Sequence, residues 1–312
     1  MNDQTGREGV PDRRAQWRAR RLGMEARKEK STPDGKRRRS WGVFRALIAL
    51  FGIGIRVIGL HGRGRRNAAD LVMTRHELTF ADLPEPFDGF TILQLTDLHL
   101  DVLAETTDAA LGLAAGLEID LCVLTGDYRR RIDGPHHHIL PPMSDLIGGL
   151  SARHGIHAVL GNHDCADMVE DFEALGIRVL INEYVAIARG GARLHISGTD
   201  DVHYYYTDGA RAVLDATPDG FKIALVHSAE FADAAAEAGF HLYLAGHTHG
   251  GQVCLPGGRA IITHLTRHKG YAQGLWRHGR MIGYTSTGVG VSALPIRFNS
   301  RGEVALFTLR RG

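Results

Sequence analysis

The chain has 312 residues, 44% hydrophobic and 23% charged, a balance that excludes wholesale disorder and leaves ample material for a core. Three cysteines without a CxxC pair exclude a disulfide-dense scaffold. The net charge of +2 hides a division: residues 1–66 carry 18 Lys/Arg against 6 Asp/Glu, and the rest carry 19 against 29. The body is therefore acidic and lacks the basic footprint that tight, sequence-independent binding of nucleic acid requires, so no nucleic-acid partner is expected.

Residues 1–40 are rich in Arg, Lys and small polar residues, the composition of a basic disordered tail. Residues 41–60 are apolar apart from Arg45 and Arg56 and read as an anchor or an export-signal-like segment. A single such stretch excludes a polytopic membrane protein, and the run between its arginines falls well short of the roughly 20 apolar residues that cross a bilayer. Three readings compete: an interfacial helix or signal anchor drawn to anionic lipid, a twin-arginine-type export signal headed by Arg38-Arg39-Ser40-Trp41, and a helix that packs on the domain. If the segment inserts, the larger positive count before it favours a cytoplasmic N-terminus and an extracytoplasmic body. The expectation is association with the inner or cytoplasmic membrane, with residues 1–66 against its anionic surface. Residues 61–69 read as a linker and 70–312 as one domain; no protein partner is inferable.

From Asp70 onward, apolar runs of strand length stop at short polar clusters. Thr91–Leu95 runs into Thr96-Asp97-Leu98-His99, Asp120–Leu124 into Thr125-Gly126-Asp127, and Gly155–Leu160 into Gly161-Asn162-His163-Asp164. Lys222–Val226 runs into His227-Ser228, and His241–Ala245 into Gly246-His247-Thr248-His249. Helical stretches at Leu103–Leu117 and Ala166–Leu175 alternate with these runs, so they read as βα units of sheets buried on both faces. Chemistry in such sheets collects beyond the carboxyl ends of the strands. Carboxylate, imidazole and amide oxygen suit divalent ions such as Mn²⁺, Zn²⁺ or Fe²⁺. Asp97, His99, Asp127, Asn162, His227, His247 and His249 exceed what one ion needs, so two divalent ions are implied, the arrangement that clamps a phosphoryl displacement. At His227 a single residue carries the signal, and an ordinary buried histidine is the plainer alternative.

The order D-x-H, G-D, G-N-H-D, H, G-H-x-H between Thr91 and Gln252 resembles the calcineurin-like metallophosphoesterases. The flanks, Leu83-Pro84 to Gly89, Gly250-Gly251-Gln252, and Gly288-Val289-Gly290 through Leu294–Asn299, are similar to a bacterial membrane-linked branch with phosphodiesterases and pyrophosphatases that act on lipid-linked substrates. The resemblance implies a four-layer αββα sandwich of two mixed β-sheets flanked by helices. It implies Asp97, His99 and His249 on one metal, Asn162, His227 and His247 on a second, and Asp127 bridging them. The activity it implies is hydrolysis of a phosphodiester or pyrophosphate bond in a lipid- or envelope-linked substrate by a metal-bound hydroxide. A nucleotide phosphodiesterase, nuclease or phosphomonoesterase is the alternative, and a non-catalytic metal-stabilised module a more distant one.

His163 resembles the family's catalytic histidine, which stabilises the transition state or protonates the leaving group, and Asp164 stands where it would orient that imidazole. The glycines beside the ligands, Gly126, Gly161 and Gly246, are expected to let the backbone turn sharply. Arg129 and Arg130 are candidates for substrate phosphate, although relatives often carry an acidic residue where this chain has Arg130. Tyr205, within Tyr204-Tyr205-Tyr206, is a candidate to stack on substrate, with plain packing the favoured alternative. His136-His137-His138 reads as a solvated loop before it reads as a metal site.

Overall fold

The computed structural model describes residues 10–35 and 42–312. Eight α-helices are defined among them: α1 (Val10–Arg27), α2 (Gly42–Val57), α3 (His61–Ala69), α4 (Ala104–Ala114), α5 (Leu140–Gly148), α6 (Met168–Ala174), α7 (Asp208–Ala216) and α8 (Ala232–Glu237). The strands are β1 (Val72–Phe80), β2 (Thr91–Leu95), β3 (Leu121–Leu124), β4 (Ile156–Ala158), β5 (Ile177–Val179) and β6 (Glu183–Arg189). They continue with β7 (Ala192–Gly198), β8 (Phe221–Leu225), β9 (Leu242–Ala245), β10 (Gly274–His278), β11 (Met281–Thr285) and β12 (Glu303–Arg311).

Alternation along the apolar runs dictates the layering. On β3, Leu121 and Val123 point one way while Cys122 and Leu124 point the other, and all four are buried. On β8, Phe221, Ile223 and Leu225 face one core, Ala224 and Val226 another. Strands that read as unbroken apolar runs are thereby sandwiched on both faces. Two six-stranded sheets result, ordered β1-β12-β2-β3-β4-β5 and β10-β11-β9-β8-β7-β6. A core that includes Phe87, Phe90, Leu225 and Phe307 lies between the sheets, a second packs α4, α5 and α6 on the first sheet, and a third packs α7 and α8 on the other. The fold is a four-layer αββα sandwich of two mixed sheets, as the family resemblance implies.

The register lines up the polar strand ends. Leu95 pairs with Leu124 across β2 and β3, and Leu225 with Leu244 across β8 and β9. Just beyond, the Asp97 amide donates to the Gly126 carbonyl at 2.9 Å, and the Gly246 amide to the His227 carbonyl at 2.9 Å. Gln94 ties the sheets together beneath the site by donating to Thr125 Oγ1 and to the Ala245 carbonyl, both at 2.9 Å.

Two segments differ from their sequence reading. Val10–Arg27, expected within a disordered tail, is an 18-residue helix docked on the acidic body. Arg14 pairs with Glu173 and Glu183, Arg18 with Asp167, and the fully buried Arg21 with Asp200. Composition alone predicts disorder because it ignores the oppositely charged surface this helix meets. Residues 61–69, expected as a linker, form α3, whose Gly64 lies so close to Ile296 and Phe298 that a β-carbon there would come within 2.8 Å of both. Arg38-Arg39-Ser40-Trp41 lies outside the described residues.

Among the described residues no single helix is long and apolar enough to cross a membrane. Ala46–Val57 and His61–Ala69 together have a suitable length and composition, but they are bent by 106°. Helix α2 packs through Gly52 against Leu294 and through the buried Ile55, leaving Leu47, Leu50, Phe51, Ile53 and Val57 exposed.

Candidate active site

The polar clusters of β2, β3, β4, β8 and β9 converge at one end of the sandwich and leave two groups of donors. Asp97, His99 and His249 form one, and Asp127, His227 and His247 the other; within each, one ligand atom per residue lies within 4.8 Å of the others, and all six are buried. His249 Nε2 stands 3.2 Å from His99 Nε2 and 3.3 Å from Asp97 Oδ1. Asp127 Oδ2 lies 3.3 Å from His227 Nε2 and 3.9 Å from His99 Nε2, so this carboxylate reaches both groups.

Local backbone explains why these side chains can converge. Asp97, His99, Asp127, His247 and His249 all have positive φ, between 40° and 75°, a conformation that non-glycine residues adopt only when their surroundings impose it. Of the adjoining glycines, Gly126 has the left-handed φ of a turn (97°). Gly161 and Gly246 serve close approach instead: a β-carbon on Gly161 would overlap Asp127 Oδ1, and one on Gly246 would overlap Thr96 Oγ1 and Asp97 Oδ2. The expected turning role therefore holds only at Gly126.

Hydrogen bonds set the imidazole orientations. His99 Nδ1 donates to the Arg129 carbonyl (2.8 Å) and His227 Nδ1 to the Thr125 carbonyl (2.7 Å), which directs each Nε2 into the site. Asn162 Oδ1, His227 Nε2, both ring nitrogens of His247 and His249 Nδ1 are buried with no hydrogen-bond partner. Orphaned buried donors and acceptors are costly, and a set of imidazole, carboxylate and amide groups left in that state fits divalent metal ions.

Charge balance agrees. Burial holds the His99 imidazole down to about 4, with His163 adding to the effect, and pushes His247 and His249 well below the ordinary value. They stand neutral with lone pairs available. Burial, helped by Asp127, pushes the Asp97 carboxyl up to about 6. Burial opposes ionisation of Asp127 and His227, but their mutual attraction overrides it: Asp127 is held well below the carboxylate range and His227 is raised to about 10. Without metal, a proton on His227 therefore neutralises Asp127.

His163 sits beside this centre with its side chain 18% exposed, its ring against that of His99 and its Nε2 3.9 Å from Asp127 Oδ2. Its Nδ1 donates to the Arg130 carbonyl rather than to Asp164. The expected Asp164–His163 contact is thus corrected. Asp164 is fully buried, and its carboxylate accepts from the backbone amides of Asp127, Tyr128 and Gly161 at 2.7–2.9 Å, pinning two of the loops that build the site.

Two substrate candidates are corrected as well. Arg129 is buried and donates to the carbonyls of His163, Ile132 and Gly134, so its charge holds the loop together. Tyr205 is buried beneath α1, with the Arg21 guanidinium 3.5 Å from its ring centre. Arg130 is exposed at the cleft and donates to the Ala293 carbonyl at 3.0 Å. His136 is buried against Asp171 at 2.6 Å, while His137 and His138 are exposed.

Sequence reasoning missed Arg297. It lies fully buried and donates to the carbonyls of His249, Thr287, Gly288 and Gly290, clamping the His249 loop to the segment after β11. It also missed His203, whose ring lies 4.0 Å from that of His247 and whose Nδ1 meets Glu230 at 2.7 Å. A second D-x-H, Asp201-Val202-His203 after β7, was the available signal.

Two stacked sheets that carry paired clusters of metal-capable donors at their strand ends define a metal-dependent hydrolase. A calcineurin-like phosphoesterase family model matches residues 90–251. The chain belongs to that family and is a metal-dependent phosphoric ester hydrolase. It is 32% identical to the uncharacterized metallophosphoesterase YkuE of Bacillus subtilis, across 76% of this chain and 85% of that one. It is 29% identical to the phosphodiesterase YaeI of Escherichia coli, across 76% and 87%. A transmembrane protein with metallophosphoesterase domain from Bos taurus is 26% identical, across 85% of this chain and 62% of that one. Among solved structures, the phosphopantetheinyl hydrolase PptH of Mycobacterium tuberculosis aligns with a TM-score of 0.41 and 12% identity, over 66% of this chain and 90% of that one.

Proposed function

We propose that this protein is a two-metal phosphodiesterase that works at a membrane surface on a lipid- or envelope-linked phosphodiester or pyrophosphate. The observation that carries the two-metal reading is the pair of buried donor clusters with orphaned lone pairs on either side of Asp127. Asp97, His99 and His249 would hold one ion, Asn162, His227 and His247 the other, and Asp127 both. When bound, divalent ions would lower the pKa of water toward neutrality and offset charge on the phosphoryl oxygens. Mn²⁺, Zn²⁺ and Fe²⁺ all suit the donors.

The chain's own residues supply the rest. His163 donates from Nδ1 to the Arg130 carbonyl, so its imidazolium form is the one that carries a second proton on Nε2, and that proton is the one given to the leaving oxygen. Asp164 and Arg129 act one step back, by fixing the loops that carry Asp127 and His163. Arg130 stands at the cleft as the candidate contact for a phosphate oxygen.

The substrate reading rests on the cleft's shape and lining. A cavity of about 1140 Å³ is lined by His163, Arg130 and Arg131 together with Ile48, Ala49 and Leu294. Its wall mixes Lys28, Lys30, Arg130 and Arg131 with carboxylates and with the apolar Ile48, Ala49 and Leu294, a lining that has both polar and apolar contacts to offer an amphiphile with a phosphorylated head. Ile48 and Ala49 of its wall belong to α2, whose exposed leucines, isoleucine and phenylalanine, close in sequence to Arg56, Arg63 and Arg65, suit an interfacial helix on anionic lipid. The YaeI phosphodiesterase supports cleavage of a diester, and the transmembrane relative supports a membrane setting. Were α2 to insert across the membrane instead, the larger positive count before it would favour an extracytoplasmic domain.

Metal analysis of the purified protein, paired with hydrolysis of an aryl phosphodiester and the matching monoester with and without Mn²⁺, tests the reading. Two equivalents of metal at the strand-end site, read as those lost in an Asp127→Asn/His227→Ala variant, and faster diester cleavage are expected. Equal or faster monoester cleavage makes the protein a phosphatase instead.

A further inference from the structure

Outside the site at the strand ends, Asp233 on α8, His268 in the loop before β10, and His278 at the end of β10 also bring one ligand atom each within 4.8 Å of the others. His268 Nε2 lies 3.2 Å and His278 Nε2 3.3 Å from the same oxygen, Asp233 Oδ1. Bonds of about 2.0–2.1 Å to a tetrahedral zinc ion separate its donors by about 3.3 Å. The strand-end clusters show the same spacing, at 3.2 Å for His99–His249 and 3.3 Å for both His249–Asp97 and His227–Asp127. By contrast, His136 and Asp171 approach to 2.6 Å, the length of a direct hydrogen bond with no room for an ion between them.

The hydrogen bonds around the three residues point the same way. The Tyr271 hydroxyl lies 3.2 Å from the Arg277 carbonyl and 3.1 Å from His278 Nδ1, contacts that fix the His278 ring with its Nε2 toward Asp233. His268 Nε2 is buried with no hydrogen-bond partner, as are His227 Nε2 and His247 Nε2. The Arg267 guanidinium pairs with the other oxygen, Asp233 Oδ2, which leaves Oδ1 to face the two imidazoles. The His268 ring stacks on Tyr271 with centroids 5.0 Å apart, which sets its orientation.

We propose that Asp233, His268 and His278 form a third divalent-metal site, structural and of zinc type, that ties the loop before β10 to α8 and to the end of β10. Two imidazole nitrogens and one carboxylate oxygen leave a fourth position for water. The tie matters to the hydrolytic centre because the same loop walls it. Thr266 donates to Glu230, Glu230 meets His203, and His203 packs on His247. Further along, Thr248, between His247 and His249, donates to the Ala272 carbonyl at 2.6 Å.

Metal stoichiometry tests the proposal. The full chain is loaded with Zn²⁺, desalted and measured by mass spectrometry, beside His268→Ala, His278→Ala and an Asp127→Asn/His227→Ala double variant. Each single variant should lose one equivalent, and trypsin should cut faster at Arg259, Arg267 or Lys269. The double variant should keep the third ion. Equal zinc content in the wild type and both single variants overturns the proposal. Should the singles lose one equivalent while the wild type holds only that one, the third site stands and the two-metal reading of the strand-end site fails. Asp233→Asn, which keeps size and polarity, repeats the measurement should an alanine variant lose its fold.

Discussion

His163 and Asp164 are neighbours in the chain that act at different removes from the reaction. The imidazole borders the cleft, whereas the carboxylate is buried on three backbone amides. His163→Ala is expected to keep its metals and lose about 10²–10⁴-fold in turnover of a diester with a poor leaving group, the usual worth of a positioned acid; unchanged turnover would remove it from that role. His157 allows a separate test of stability. Burial, with Arg178 and His154 adding, lowers its pKa from 6.5 to about 4. A depressed histidine contributes stability that is fully present above 6.5 and lost as pH falls toward 4, because the unfolded chain takes the proton first. From pH 7.5 to 5 the loss should be about 2 kcal/mol. Urea unfolding at the two pH values should show that fall in the wild type and a smaller one in His157→Leu.

Helix α1 owes its order to contacts rather than to intrinsic preference. Its arginines meet Glu173, Glu183, Asp167 and Asp200 on the body, Trp17 donates to Asp200 at 2.7 Å, and Arg21 also donates to the Asp164 carbonyl at 2.8 Å. Removing one member of a buried pair strands the other, at a cost of about 3–5 kcal/mol. Asp200→Ala is therefore expected to release α1 while the sheets stay folded, seen as a rise in amide hydrogen exchange confined to α1 and the segment that follows it. Arg21→Met/Asp200→Leu should recover much of that protection. If the single variant exchanges like the wild type, the pair does not hold the helix.

At the scale of the whole molecule, α2 contributes Ile48 and Ala49 to the wall of the cleft. Sixteen helical residues span about 24 Å, short of the roughly 30 Å of a bilayer's hydrocarbon, which suits lying in the interface better than crossing it. The wild type is expected to float with vesicles rich in anionic lipid and to dissociate as salt rises. Leu50→Asp/Phe51→Asp should weaken that binding on the order of 10²-fold, from lost apolar burial, and still hydrolyse a soluble aryl diester. Flotation of the double variant at wild-type level would show that α2 does not face the lipid.

The five apolar runs that stop at Asp97, Asp127, Asn162, His227 and His247 were legible because period, length and polar punctuation are local properties. The layered fold and the seven metal-capable residues follow from them and from the family resemblance. What residues do across long separations was not legible. Arg129 and Tyr205 look exposed and chemically useful in a linear string, yet the carbonyls of residues 132, 134 and 163 bury one and Arg21 covers the other. Composition read residues 1–40 as a disordered tail, although its arginines find carboxylates some 150 or more positions away. Strand identity and ligand chemistry depend on each residue and its near neighbours, so the sequence determined them. Burial, pairing and tautomer depend on which distant surfaces meet, and only the tertiary structure decided those.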